Sequence, residues 1–120
     1  MPNEAEAITI RFADDFEANL YALAKRYRSI RNDVQPVIEQ IQAGNFIGAR
    51  IPGMGEDYII LKVRVKNSNI QKGKSAGYRL IYQVESRSLV LLLTIYSKSD
   101  RTDISLNEIR SIIAEFDENE

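Results

Sequence analysis

The sequence contains no cysteine, no histidine and no tryptophan. The lack of cysteine excludes disulfides, thiolate nucleophiles and thiolate metal sites. The lack of histidine excludes imidazole base catalysis and the commonest metal ligand. No apolar run approaches the roughly 20 residues of a membrane helix. The opening MPNEAEAITI carries acids where a signal peptide carries cations, so a cytoplasmic protein with no membrane partner is expected. Internal repeats and low-complexity tracts are also missing.

What is present suits one folded domain. The chain has 120 residues, 44% hydrophobic and 28% charged, enough to bury about two thirds of the surface that the unfolded chain exposes. A single domain over residues 1–120 is expected. The net charge of −1 hides a segregation along the chain. Between Lys62 and Arg79 stand Lys62, Arg64, Lys66, Lys72, Lys74 and Arg79 with no acid among them, whereas Glu115, Asp117, Glu118 and Glu120 end the chain without a cation. A local positive field attracts polyanions even on a nearly neutral molecule, because charges act over about 8–10 Å in salt.

Hydrophobic periodicity gives the order of elements. "ITIRF" at 8–12 alternates as a short strand. Asp14 with Glu17 reads as a helix cap, and Phe16, Leu20, Ala24 and Tyr27 set a helix running to about Ser29. A second helix is predicted to open at Asn32 or Asp33, because Pro36 fits a first turn, and to close at Ala43–Asn45. The short link between them predicts an αα-hairpin. The glycine- and proline-rich stretch from Phe46 to Asp57 reads as loop. "YIILKVRVKN", "YRLIYQVE" and "LVLLLTIYS" read as strands, the last two as an antiparallel hairpin. Ser105 with Glu108 caps a final helix between the staple residues Ile104 and Ile109. The expected fold is α+β in the order β-α-α-β-β-β-α, with a mainly antiparallel four-stranded sheet, an N-terminal αα-hairpin and a C-terminal helix.

Two carboxylate pairs, in "ADD" at 13–15 and "SDRTD" at 99–103, fall at helix starts, where acids complement the helix dipole. The segment "GKSAGYRLIYQV" at 73–84 begins like the end of a nucleotide-binding P-loop. That motif needs a glycine where Ser68 stands and a helix where Tyr78–Val84 reads as a strand, so a nucleotide-hydrolysing P-loop is not expected. The basic set carries more. A strand with Leu61, Val63 and Val65 on one face puts Lys62, Arg64 and Lys66 on the other, about 7 Å apart, an arrangement that folding alone does not call for. If Leu80, Tyr82 and Val84 join the core, Arg79 lies on the opposite face, beside that row in a favourable register. Lys72 and Lys74 sit on a glycine-bearing loop able to close over a phosphate. Tyr58, Tyr78, Tyr82 and Tyr96 interleave with the cations, and Tyr96, next to Lys98 and Arg101, is the best-placed ring for stacking a base.

The basic strand "KVRVK", the segment "KGKSAGYRLIY" and the strand "LLLTIYSK" running into "DISLNEI" together resemble the RelE/ParE toxin superfamily, in particular its HigB-like branch. The resemblance covers most of the chain. It implies a RelE/ParE-like fold and a toxin of a type II toxin–antitoxin pair. The implied partners are a cognate antitoxin protein, messenger RNA and the ribosome, and the implied activity is ribosome-dependent mRNA cleavage without metal or small-molecule cofactor. Arg79 matches the arginine of the family's "YR" strand and would stabilise phosphate. Lys98, Lys74 and Tyr96 fall at or near catalytic positions. Lys62, Arg64, Lys66, Lys72 and Arg101 would bind RNA, with Lys62, Arg64 and Lys74 matching the family's basic positions more loosely and a lysine also able to serve as general base. Where RelE carries a catalytic tyrosine this chain has Ile104, so either Tyr96 replaces it, or lysines act alone, or cleavage is weak. The ParE branch poisons DNA gyrase on the same fold, and a relative that grips RNA or antitoxin without cleaving is the third reading.

Overall fold

In the computed structural model, which describes residues 7–70 and 76–119, eight elements surround one sheet. They are β1 (Thr9–Phe12), α1 (Asp14–Arg26), α2 (Ile30–Gln42), β2 (Ala49–Arg50), β3 (Ile59–Val65), β4 (Tyr78–Ser86), β5 (Leu89–Ser97) and α3 (Leu106–Glu118). The α+β class expected from the sequence holds. The sheet, however, is five-stranded and mixed, in the order β1-β5-β4-β3-β2, where four mainly antiparallel strands were expected. The extra strand is β2, two residues inside the presumed loop, with Ala49 opposite Lys62 and Arg50 opposite Leu61. Its brevity leaves no period to read in the sequence. The parallel pairing joins β1 to β5, Thr9 to Leu89 through Phe12 to Leu92. The other three pairings are antiparallel.

Both faces of the sheet are covered, because β4 and β5 are apolar on both. On one face α1 and α2 pack Phe16, Leu23, Ile30, Val34 and Ile41 onto Leu61, Val63, Val65, Leu80, Tyr82, Leu92 and Ile95. On the other, α3 packs Ile109, Ile112 and Ile113 with Ile60, Ile81, Leu91, Leu93 and Tyr96. Along β5, Ile81 pairs with Thr94 but Tyr82 with Leu92, so Leu93 is an extra residue in the ladder. This bulge switches the alternation, placing Leu91, Leu93 and Tyr96 on the α3 face and Leu92 and Ile95 on the other. Bulges commonly re-aim side chains in this way beside functional sites.

Local signals differ from expectation at three helix ends. Ala13, not Asp14, is the cap of α1 and accepts no bond through its side chain; its N–H instead donates to Leu92 O at 2.9 Å, extending the parallel ladder into the helix start. The first helix ends at Arg26, three residues early. The second begins at Ile30, which puts Pro36 inside it; the apolar contacts of Ile30 and Val34 outweigh the hydrogen bond that proline omits. At α3 the cap is as expected, with Ser105 Oγ accepting from Glu108 N at 3.1 Å. Gly77, in the "GYR" segment, is closely packed rather than loose. A Cβ there would stand 2.1 Å from Val65 O, so the end of β3 passes directly over it.

Candidate polyanion-binding site

Strand register assembles the site on the α3 face. Arg64 on β3 lies opposite Arg79 on β4, and Arg79 lies opposite Tyr96 on β5. Three expected site residues therefore form one row across three central strands. Directly opposed residues have Cα atoms about 4.5–5.5 Å apart, and like charges so placed destabilise a sheet. Lys62 stands two residues along β3, opposite Ile81. The beginning of the row is exposed and its middle is not: Arg64 is exposed, whereas Arg79 retains only 5% exposure. The Arg79 guanidinium donates to Tyr78 O at 3.1 Å. Burial lowers its pKa from the ordinary arginine value, and the charge of Arg64 adds to the effect.

The segment after β5 folds back over this face. Arg101 donates through Nε to Asp103 O at 3.0 Å and grips the Glu108 carboxylate with both terminal nitrogens, at 3.1 and 2.6 Å. Its guanidinium also lies 5.3 Å from the centre of the Tyr96 ring. Glu108 thus serves Arg101 with the carboxylate that a full capping box would return to the cap, and the ion pair raises the pKa of Arg101 and lowers that of Glu108. Lys98 Nζ donates to Thr102 O at 3.1 Å. Asp103 Oδ1 accepts from Ile104 N at 2.8 Å and from Lys62 Nζ at 3.3 Å. These donors, the Ile104 N–H first, hold its carboxyl below the usual range.

Tyr96 has a different place from the one expected of a stacking platform. It is 6% exposed and has Arg101 over its ring, so no face is open to a base. Its hydroxyl is buried with no hydrogen-bond partner. Burial raises its pKa above the ordinary phenol value, the Asp103 carboxylate acting in the same direction. Like any phenol Tyr96 is protonated at neutral pH, and its hydroxyl is a donor in want of an acceptor. Tyr78 and Tyr82 are fully buried core residues, the latter donating to Ile47 O, which leaves Tyr58, 40% exposed, as the accessible ring of the four.

Of the remaining expected residues, Lys66 continues the alternation of β3 just past its end and lines a groove with Lys62, Arg64 and the α2 residues Asn32, Asp33 and Pro36. Lys72 and Lys74 lie outside the described residues. Arg101, expected on RNA, has its donors engaged within the chain and acts as a strut. The residue that sequence reasoning passed over is Asp103, which looked like one more acid near a helix start. Among the described residues, no three acidic side chains come together as metal ligands, and no helix is long and apolar enough to cross a membrane.

Compared with known proteins, the sequence matches no family model and no curated protein.

Proposed function

We propose that this chain is a toxin of the RelE/ParE type that binds RNA on the α3 face of its sheet and cleaves it, its natural substrate being messenger RNA on the ribosome. The observation that carries the reading is the row Arg64, Arg79 and Tyr96. Two arginines opposed across a sheet oppose folding, and a phosphodiester between them removes the conflict. Such conflicts between local rules and fold mark functional sites.

The chemistry that suits these groups is attack of a ribose 2′-hydroxyl on the adjacent phosphorus, with loss of the 5′-oxygen. The charge that develops on the non-bridging oxygens needs fixed donors. Arg79 is held rigidly by burial for that task, and Arg64 reaches the same phosphate from the exposed side. Tyr96, a protonated phenol beneath Arg101, is suited to donate to the leaving oxygen once a bound substrate draws Arg101 aside. The neutral amine form of Lys98 would accept the 2′-proton, and the Lys62 ammonium would bind a flanking phosphate. A neutralising antitoxin would cover this face.

The test is induction of the protein in cells without antitoxin, followed by mapping of transcript ends. Breaks within translated codons, lost together with growth arrest in an Arg79→Ala, Lys98→Ala variant, are expected. Intact transcripts with DNA damage would assign the target to gyrase instead, and intact transcripts without toxicity would leave a binding protein only.

A further inference from the structure

An anion already sits on the cationic face, and it belongs to the chain. The Asp103 carboxylate receives Lys62 Nζ at 3.3 Å and Ile104 N at 2.8 Å. Lys98 also draws it toward ionisation. The buried Tyr96 hydroxyl, which has no hydrogen-bond acceptor, feels its charge. One ammonium group and a backbone N–H therefore hold the carboxylate directly, with the Lys98 charge and the Tyr96 phenol nearby. That is a donor set suited to a phosphate oxygen.

We propose that Asp103 is an internal occupant of the phosphate position, which a bound polyanion displaces, and that it sets the affinity threshold of the face. The proposal rests on the RNA-binding reading above and adds a competitor to it. The geometry permits exchange. The Asp103 side chain is 66% exposed while that of Lys62 is 32% exposed, so the carboxylate approaches from the solvent side and can swing away without opening the core. The backbone beneath it stays fixed, because Arg101 ties Asp103 O to Glu108 and to the Tyr96 ring. Displacement frees the Lys62 amine and the Ile104 N–H together, where an incoming phosphate meets both. A single weak anion gains little from this exchange of one partner for another. A polyanion that also reaches Arg64 gains a net contact, so Asp103 favours extended phosphate chains over isolated anions.

The experiment compares wild type, Asp103→Asn and the charge-matched control Glu115→Gln for binding a labelled single-stranded RNA of mixed sequence, and for retention on heparin, across a range of salt. Asparagine keeps the acceptor for Ile104 N and removes the charge, so the fold is preserved; circular dichroism verifies this, and Asp103→Ala provides a second variant. The expected result is about threefold to tenfold tighter RNA binding by Asp103→Asn, with the plot of log affinity against log salt steeper by about 0.7, one more phosphate contact on a single strand. Glu115→Gln leaves the slope unchanged. Adding Lys62→Ala to Asp103→Asn removes the gain, since the two act as a pair. If Asp103→Asn behaves like Glu115→Gln while wild type binds, the internal occupant is refuted and the RNA-binding face stands. If neither wild type nor Asp103→Asn binds RNA or heparin, both fall.

Discussion

Replacing Arg64 by threonine should stabilise the protein while weakening the RNA binding proposed above. Arg64 is exposed and has no ion pair among the described residues, and its register partner is the buried Arg79. For two guanidinium groups about 6 Å apart, the repulsion is about 2.8 kcal/mol at an effective dielectric constant near 20 and about 0.7 kcal/mol in water. Because Arg64 reaches solvent and its long side chain can lean away, the lower figure governs, in line with the ~0.2–1 kcal/mol typical of cross-strand pairs. Threonine retains a good strand propensity. The expected gain is therefore about 0.7 kcal/mol, or roughly 2–4 °C in Tm for a domain of this size. Differential scanning calorimetry at low and at 1 M salt provides the assay. At 1 M salt the screening length falls to about 3 Å, so most of the gain should vanish. In parallel, the salt slope of RNA binding should become shallower by about 0.7. An Arg64→Thr protein that melts at or below the wild-type temperature in low salt would refute the electrostatic conflict, and a gain indifferent to salt would assign it to packing instead.

Tyr96→Phe removes a buried hydroxyl that has no partner, so stability should be unchanged or slightly higher, while RNA cleavage falls about 100-fold if the phenol protonates the leaving oxygen; cleavage at the wild-type rate would remove Tyr96 from the chemistry. Alkali should unfold the protein as its buried tyrosines ionise. Burial raises the pKa of Tyr78 and Tyr96 and pushes that of Tyr82 up to about 12, so in the unfolded chain these groups lose protons first, near pH 10, and stability falls as pH rises beyond that. Tyrosinate absorbance followed with far-ultraviolet circular dichroism should show the buried rings titrating only as helix content is lost; reversible titration with intact helices would contradict the assignment. Gly77→Ala should destabilise by about 1–3 kcal/mol, the range of an overpacked site, because the new methyl meets Val65 O; a chemical denaturation midpoint equal to wild type would mean that the loop end gives way freely.

The strands that build the site were legible because each carries its own pattern. The alternation of Lys62, Arg64 and Lys66 with Leu61, Val63 and Val65 placed the cations on one face, and that face is where Arg79 joins them. The second cover was written in β5, whose run from Leu89 to Ile95 is too apolar for a strand wet on one side, a pattern that belongs to strands buried on both faces. Tyr96 could not be placed by period alone, since the extra residue at Leu93 reverses the parity between Leu92 and Tyr96. Nor could Asp103, whose importance comes from a contact with Lys62 across 41 positions of the sequence. Pro36 misled because tertiary packing extends α2 upstream to Ile30, beyond what local capping chemistry would choose.

The parallel pairing of β1 with β5 has a consequence in time. Thr9 waits for Leu89, about 80 residues of synthesis, or some 4–16 s at ordinary translation rates. Contacts so distant in sequence also fold slowly once available. Through that interval the apolar side of β1 has no sheet to join, and the site does not exist either, since Tyr96 and Asp103 emerge later still. A nascent chain accordingly has no assembled row of Arg64, Arg79 and Tyr96 until β5 has been made and has paired with β4.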